Sequence, residues 1–181
     1  MVYVHFADGF EEIEALTVVD LLRRAGIETE AVSIMGRLLV TGAHGVQIVC
    51  DILFEDAVYG SCELIVLPGG MPGAANLGGH AGLVEKILSF RNQGKPIAAI
   101  CAAPLVLGHA GVLKGKKATC YPGFENELEG AEITEDTVCV DGGVITSRGP
   151  ATAMPFALAL IEALKGKEAA GKIAAGLLFD Q

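Results

Sequence analysis

Short apolar segments alternate with amphipathic segments over most of this chain, and this alternation limits the possible folds more than any other feature. The amphipathic segments Glu11 to Ala25 and Ala81 to Asn92 are predicted helices, each closed by a nearby glycine. The apolar segments are predicted strands: Val2 to Phe6, Glu30 to Met35, Leu64 to Leu67 and Ile97 to Ile100. Together they predict an α/β fold, a doubly wound parallel sheet with helices on both faces.

Two hairpins are predicted beside this core. Arg37 to Val40 and Val46 to Cys50 would form one at an edge or an interface, and Val138 to Val140 and Val144 to Thr146 would form another around Asp141-Gly142. The remaining predictions are a glycine-rich loop from Met71 to Gly79, a strand from Ala118 to Tyr121, and a helix that Gly149-Pro150 opens and that runs to Leu164. No linker or repeat divides the 181 residues, so one domain, residues 1–181, is predicted.

Charge and hydropathy argue against several classes of protein. A net charge of −9, without a basic cluster, disfavours binding to the phosphate backbone of nucleic acids. The most apolar later stretch, Ala153 to Leu164, is too short to span a membrane and carries Glu162. The opening segment, Val2 to Phe6, has neither the basic region nor the cleavage site of a signal peptide. We therefore expect a soluble protein without nucleic-acid or membrane partners.

The cysteines indicate a reducing compartment. There are five, an odd number, and no two are spaced as C-x-x-C: Cys50, Cys62, Cys101, Cys120 and Cys139. This pattern favours free thiols in the cytoplasm. No histidine or cysteine pair has the spacing of a structural zinc site, and no phosphate-loop or dinucleotide motif opens a helix, so neither a metal nor a cofactor is expected.

Cys101 lies where the chain must turn from a strand into a helix, because it follows Ile97 to Ile100 and precedes Ala102-Ala103-Pro104. The helix is predicted to begin at Cys101 or Ala102. Unpaired backbone N–H groups and the helix dipole at such a turn favour the thiolate and can lower the pKa of a cysteine. The alternative is a buried, inert cysteine that packs as a small hydrophobe.

Two other segments are expected near the same edge of the sheet, where parallel strands end. Gly69-Gly70 could present backbone N–H groups to an oxyanion, or could form an ordinary tight turn. Glu14 differs from the helix-start acids Glu11 and Glu12, because apolar residues follow it at helical spacing and place its carboxyl on the sheet-facing stripe. A buried carboxyl must be paired or protonated, and a protonated Glu14 could donate a hydrogen bond to the Cys101 thiolate.

The histidines offer no clear general base. His109 stands eight residues along the predicted helix from Cys101, a rise of roughly 12 Å, which is too far. His5 lies within a strand and is expected to pack there, whereas His44 and His80 lie in loops and stay open as candidates.

Four segments together resemble the ThiJ/PfpI superfamily, specifically its Parkinson-associated deglycase and bacterial ThiJ branch. They are GFEEIE at 9–14, LPGGMPG at 67–73, AAICAAP at 98–104 and SRGP at 147–150. Each is weak alone, but their order over nearly the whole chain is specific to that family.

The resemblance implies a flavodoxin-like fold, usually a homodimer, with Cys101 as the nucleophile and Glu14 as a protonated carboxyl touching its sulfur. Gly70 and Ala102 would supply oxyanion N–H groups. Family members are described as glyoxalases that convert 2-oxoaldehydes to 2-hydroxy acids, as deglycases, and as redox-stress proteins whose cysteine oxidises to a sulfinate.

One position departs from the family pattern. Where glyoxalase-active relatives place a histidine, this chain has Tyr121, whose ordinary pKa near ~10 makes it a hydrogen-bond donor but a poor base. Two hypotheses therefore stand: a cysteine-dependent enzyme acting on reactive carbonyls or glycation adducts, or a non-enzymatic redox sensor or chaperone switched by oxidation of Cys101. A PfpI-like peptidase is a distant third.

Overall fold

The computed structural model describes residues 1–179, and a seven-stranded sheet forms its centre. The strands in chain order are β1 (Val2–Phe6), β2 (Thr29–Ser33), β3 (Leu39–Thr41), β4 (Gln47–Val49), β5 (Ile52–Leu53), β6 (Leu64–Leu67), β7 (Ile97–Ile100), β8 (Lys117–Ala118), β9 (Glu132–Ile133), β10 (Val138–Asp141) and β11 (Val144–Ser147). The order across the main sheet is β10-β11-β7-β6-β1-β2-β5. All its pairings are parallel except that of β10 with β11.

In the described part of the chain, six α-helices cover this sheet in two layers: α1 (Glu12–Arg24), α2 (Gly73–Gly79), α3 (Ala81–Gln93), α4 (Pro104–His109), α5 (Ala153–Lys165) and α6 (Lys167–Gly176). Helices α1, α5 and α6 pack together, and α2, α3 and α4 form the other group. No helix within residues 1–179 has both the length and the apolar character needed to traverse a bilayer.

The central strands explain why the layers pack closely. Strands β1, β6 and β7 are buried along their whole length, as expected for parallel strands covered on both faces. Ala98 and Ala99 in β7 are small and fully buried, so the helices can approach the sheet there. Helix ends follow the predicted chemistry, since Gly26 has φ +64° beyond α1 and Gly94 has φ +67° beyond α3.

The prediction of a flavodoxin-like α/β fold is confirmed, and so are both predicted hairpins: β3 pairs antiparallel with β4, and β10 with β11. Three local predictions are wrong. Part of the predicted loop at 71–79 is helix α2, and the predicted strand at 118–121 is reduced to Lys117–Ala118, which pairs with β9 outside the main sheet. The helix beyond Cys101 begins only at Pro104, because Cys101 adopts φ +66° and breaks the helical path.

Candidate active site

Cys101 lies immediately beyond β7 in a left-handed backbone conformation, with φ +66°. Strand β11 and the loop after β8 hold this conformation in place: the Cys101 N–H donates to the Ser147 carbonyl at 2.9 Å, and the Cys101 carbonyl accepts from the Tyr121 N–H at 2.8 Å. A non-glycine residue pays a conformational cost there, and such positions cluster at functional sites. Cys101 is 7% exposed, so the thiol is buried just below the protein surface.

The Glu14 carboxyl, from the first turn of α1, interacts with the Cys101 thiol. It is fully buried, and its Oε2 accepts a hydrogen bond from the Gly69 N–H at 2.8 Å. Its Oε1 is buried and accepts no hydrogen bond from a nitrogen or hydroxyl donor within residues 1–179. The structure thus brings together the thiol and the carboxyl that the sequence placed in separate segments.

Burial raises the pKa of Glu14 from 4.5 to about 7. The Cys101 thiol and the Gly69 N–H lower this pKa by hydrogen bonding, and the nearby Glu11 carboxylate raises it. Both the neutral and the ionised carboxyl are therefore populated near neutral pH, whereas the family resemblance implied a protonated group.

Burial also raises the pKa of Cys101 to about 12, and the negative charge of Glu14 and the hydrogen bond between the two side chains act in the same direction. The backbone N–H groups of Gly70 and Ala102 lower this pKa, as predicted, but their effect is smaller. The turn therefore acts on the thiol pKa in the expected direction, but burial and Glu14 outweigh it. The two groups titrate as a coupled pair, in which an ionised Glu14 could accept the proton of the Cys101 thiol.

The glycine pair after β6 has two separate tasks. The Gly69 N–H is bound to Glu14, so Gly69 positions the carboxyl instead of facing an oxyanion. A Cβ on Gly69 would lie 2.5 Å from the Cys101 Cβ and 2.6 Å from Glu14 Oε2, so only glycine lets these groups meet. Gly70, with φ +86°, points its N–H towards the sulfur together with that of Ala102. These two N–H groups lie beside the sulfur, where the resemblance implies oxyanion donors.

The backbone of Tyr121 lies next to Cys101, because its N–H donates to the Cys101 carbonyl, whereas Tyr121 itself is 46% exposed. The ring lies against Gly149, where a Cβ would come within 3.1 Å of the Tyr121 Cδ2. Tyr121, Arg148, Gly149 and Pro150 together line an open groove.

Ser147 was not predicted as a site residue, although the segment SRGP contains it. Because β11 pairs with β7, the Ser147 carbonyl accepts the Cys101 N–H. The Thr152 hydroxyl accepts from the N–H groups of Arg148 and Gly149 at 3.2 and 3.0 Å, which holds the following turn. This turn could have been predicted from the sequence, because a threonine three residues after a glycine at the start of a helix is a typical capping pattern.

The four histidines have other partners. His5 is buried, and its Nε2 lies 2.7 Å from the Tyr59 hydroxyl. His80 caps α3 by accepting from the Leu83 N–H, and His109 pairs with Glu127. His44, which the sequence left open, pairs with Glu12 at 2.8 Å.

Within residues 1–179, one group of side chains could offer ligands to a metal ion: Glu11, Glu12 and His44, whose ligand atoms lie within 4.8 Å of one another. Their carboxylates already accept backbone N–H groups, from Glu14 to Glu11 and from His44 to Glu12.

This geometry agrees with comparisons to known proteins. The family described as DJ-1/PfpI matches residues 1–163. The chain belongs to the DJ-1/PfpI family. It is 42% identical to protein dj-1beta of Drosophila melanogaster over 97% of this chain and 95% of that one. It is 33% identical to a Pyrococcus abyssi protein named a deglycase, over 88% of this chain and 96% of the relative.

Other DJ-1/PfpI relatives differ in length. The chain is 40% identical to the DJ-1 homologs B and A of Arabidopsis thaliana but covers only 41% and 46% of them. Among solved structures, oxidized Toxoplasma gondii DJ-1 superposes with a TM-score of 0.95 at 42% identity, over 99% of this chain and 98% of that one. The predicted family is therefore confirmed.

Proposed function

We propose that this chain is a cysteine-dependent enzyme that acts on reactive carbonyls or glycation adducts, in the manner of a glyoxalase or deglycase. The observation that carries this proposal is the contact between a buried Cys101 thiol and the Glu14 carboxyl, next to the N–H groups of Gly70 and Ala102. Nucleophile, proton acceptor and oxyanion donors are the parts that carbonyl addition needs. The deglycase name of the Pyrococcus relative supports the same substrate class.

The first step with a 2-oxoaldehyde is addition of the Cys101 sulfur to the aldehyde carbon. The thiol proton passes to the ionised Glu14, and the carbonyl π electrons move to the oxygen, which Gly70 and Ala102 stabilise by hydrogen bonds. Glu14 then returns the proton to this oxygen, so the product is a neutral hemithioacetal. The raised pKa of Glu14, about 7, suits a group that must both accept and donate a proton near neutral pH.

The next step moves hydrogen between the two substrate carbons. The proton on the former aldehyde carbon goes to a base and the neighbouring carbonyl oxygen is protonated, which gives an enediol. The carbon of that neighbouring carbonyl then takes up a proton while the hydroxyl on the sulfur-bearing carbon releases one, and the product is a thioester of a 2-hydroxy acid. Water then cleaves the thioester, which releases the 2-hydroxy acid and the Cys101 thiol. Tyr121 is a poor base, so Glu14 must accept and donate the proton in each of these steps. Turnover is therefore expected to be slow.

The test is turnover of methylglyoxal to lactate by the native chain and two cysteine variants. Cys101→Ser should abolish saturable turnover, whereas Cys120→Ser, which changes another buried cysteine, should retain it. The proposal fails if Cys101→Ser remains active, or if the native chain turns over neither methylglyoxal nor glyoxal nor a glycated thiol.

A second candidate is a redox sensor or chaperone in which two equivalents of peroxide oxidise the Cys101 thiolate to a sulfinate and are reduced to water. The same Gly70 and Ala102 N–H groups could hold the sulfinate oxygens, and a neutral Glu14 could donate to one of them. The oxidized state named for the Toxoplasma relative favours it. In peptide mass spectrometry after mild peroxide, Cys101 should oxidise before the other four cysteines. Sulfinate first on Cys50 or Cys120 would exclude this role.

We also propose that the chain forms a homodimer through one apolar face. Exposed apolar side chains lie on α1 and on the neighbouring β3–β4 hairpin, which the Glu12–His44 contact joins: Ile13, Leu16, Leu39, Val46 and Val49. Ile13→Glu should convert a dimer to monomer in sedimentation velocity, whereas the control Val58→Glu, at a distant exposed valine, should not. A native monomer at high micromolar concentration would contradict this proposal.

A further inference from the structure

A cavity of about 340 Å³ opens at the amino ends of β7 and β11, the opposite end of the sheet from Cys101. Strand β7 separates the two sites by four residue steps, roughly 13 Å. The cavity has an apolar floor formed by Ile97, Val112 and Val144. Its size falls within the range of small-molecule sites.

Four cationic residues line the cavity around this floor, namely Arg91, Lys95, Lys114 and Lys116, and no acidic residue of the described range 1–179 lines it. The chain has only 13 lysines and arginines against 22 acidic residues, so this concentration opposes the overall charge of −9. Within residues 1–179, none of the four forms a salt bridge with a carboxylate. Lys95 interacts electrostatically with the Glu63 carboxylate outside the cavity, and the other three cations leave a local excess of positive charge.

Two of these side chains are held in position by backbone carbonyls. Lys95 Nζ donates to the Cys62 carbonyl at 2.9 Å, and Lys116 Nζ donates to the Gly142 carbonyl at 3.2 Å. Gly142, with φ +54°, leaves room for the Lys116 ammonium, because a Cβ there would collide with it. Neutral carbonyls position the charges without neutralising them.

The other two cations, Arg91 and Lys114, make no side-chain hydrogen bond within residues 1–179 and are exposed at the rim. A guanidinium can bind two phosphate oxygens at once, and an ammonium adds a point charge. The carboxyl end of α3 near Gly94 carries only about half a negative charge, which four cations outweigh.

We propose that this cavity binds the phosphate group of a small phosphorylated metabolite. The floor of Ile97, Val112 and Val144 would contact the organic part, while Arg91 and Lys114 close on the phosphate. The shared chemistry is a phosphate dianion, which inorganic phosphate and a phosphomonoester both supply. A nucleic acid does not fit, because the surrounding protein is acidic and would repel an extended phosphate backbone.

The experiment is calorimetric titration of the full chain with inorganic phosphate, ribose 5-phosphate and neutral ribose in about 0.15 M salt, at which charges farther than ~8 Å apart are largely screened. The variant Arg91→Gln/Lys114→Gln removes the two rim cations. The control Lys86→Gln/Lys167→Gln changes the net charge equally but lies outside the cavity. The carbonyl turnover of both variants should match that of the native chain.

Ribose 5-phosphate should bind more tightly than inorganic phosphate, and ribose should not bind. The rim variant should lose about tenfold or more in affinity, as expected for two charge-assisted hydrogen bonds, while the control stays within about twofold. Tighter binding of inorganic phosphate would show that the site binds the free anion, and would overturn the proposal of a phosphorylated metabolite. Equal loss in both variants, or no binding of either phosphate at millimolar concentration, would overturn the site itself.

Discussion

Replacement of Glu14 by glutamine should change how the stability of the protein depends on pH. The Glu14 pKa rises from 4.5 to about 7 on folding, chiefly through burial. Between these values the folded state holds a proton that the unfolded state has released, so the free energy of unfolding falls as pH rises. At about 1.4 kcal/mol per pH unit, the native protein should lose about 3 kcal/mol from this group between pH 4.5 and 7.

Glutamine cannot ionise, so the Glu14→Gln variant should lack this loss. The measurement is urea unfolding of both proteins from pH 4 to 8, with the difference in unfolding free energy plotted against pH. A difference is needed because His5, whose pKa burial lowers to about 3, makes an opposing contribution that both proteins share. Between pH 4.5 and 7 the unfolding free energy of the variant should rise relative to that of the native protein, and outside this range the difference should stay constant.

Two further proteins make the result specific. Glu168→Gln removes an exposed carboxyl instead of a buried one and serves as the control for the loss of one acidic side chain. Glu14→Gln compared in a Cys101→Ala background should keep the slope, because burial and not the thiol is the main cause of the raised pKa. A flat plot for Glu14→Gln itself would show that the carboxyl ionises as it does in the unfolded chain, which would refute the assignment of Glu14 as a proton acceptor near pH 7.

Two other predictions concern the neighbours of the thiol. Tyr121→His should raise methylglyoxal turnover by about tenfold or more, since an imidazole can transfer protons near neutral pH. Tyr121→Phe should leave the rate unchanged, and a large loss of turnover in this variant would show that Tyr121 itself is catalytic. Gly69→Ala should cost about 1–3 kcal/mol of stability in urea unfolding and most of the turnover, because the added Cβ collides with Cys101 and Glu14. Gly79→Ala, where a Cβ meets nothing within 4 Å, is the control, and equal effects of the two substitutions would contradict this reasoning.

Secondary structure was predictable in segments where the apolar residues follow a single spacing, either that of a helix or that of a strand. Both hairpins and the turn at Cys101 follow from local alternation and turn residues. Helix α2 was missed because its sequence, GAANLGG, is rich in glycine, and its packing against α4 and β1 outweighs that weak propensity.

The sequence by itself determined which residues are candidates for chemistry: a cysteine at a strand end, a carboxyl on an apolar helix stripe and a glycine pair after a buried strand. The tertiary structure decided what they do together. The order of β1, β6 and β7 brings Gly69 against both Cys101 and Glu14, and the resulting burial raises the pKa of both acids. Strand order and burial depend on contacts between distant segments, so no local pattern could reveal a shared proton or the cationic cavity at the other end of β7.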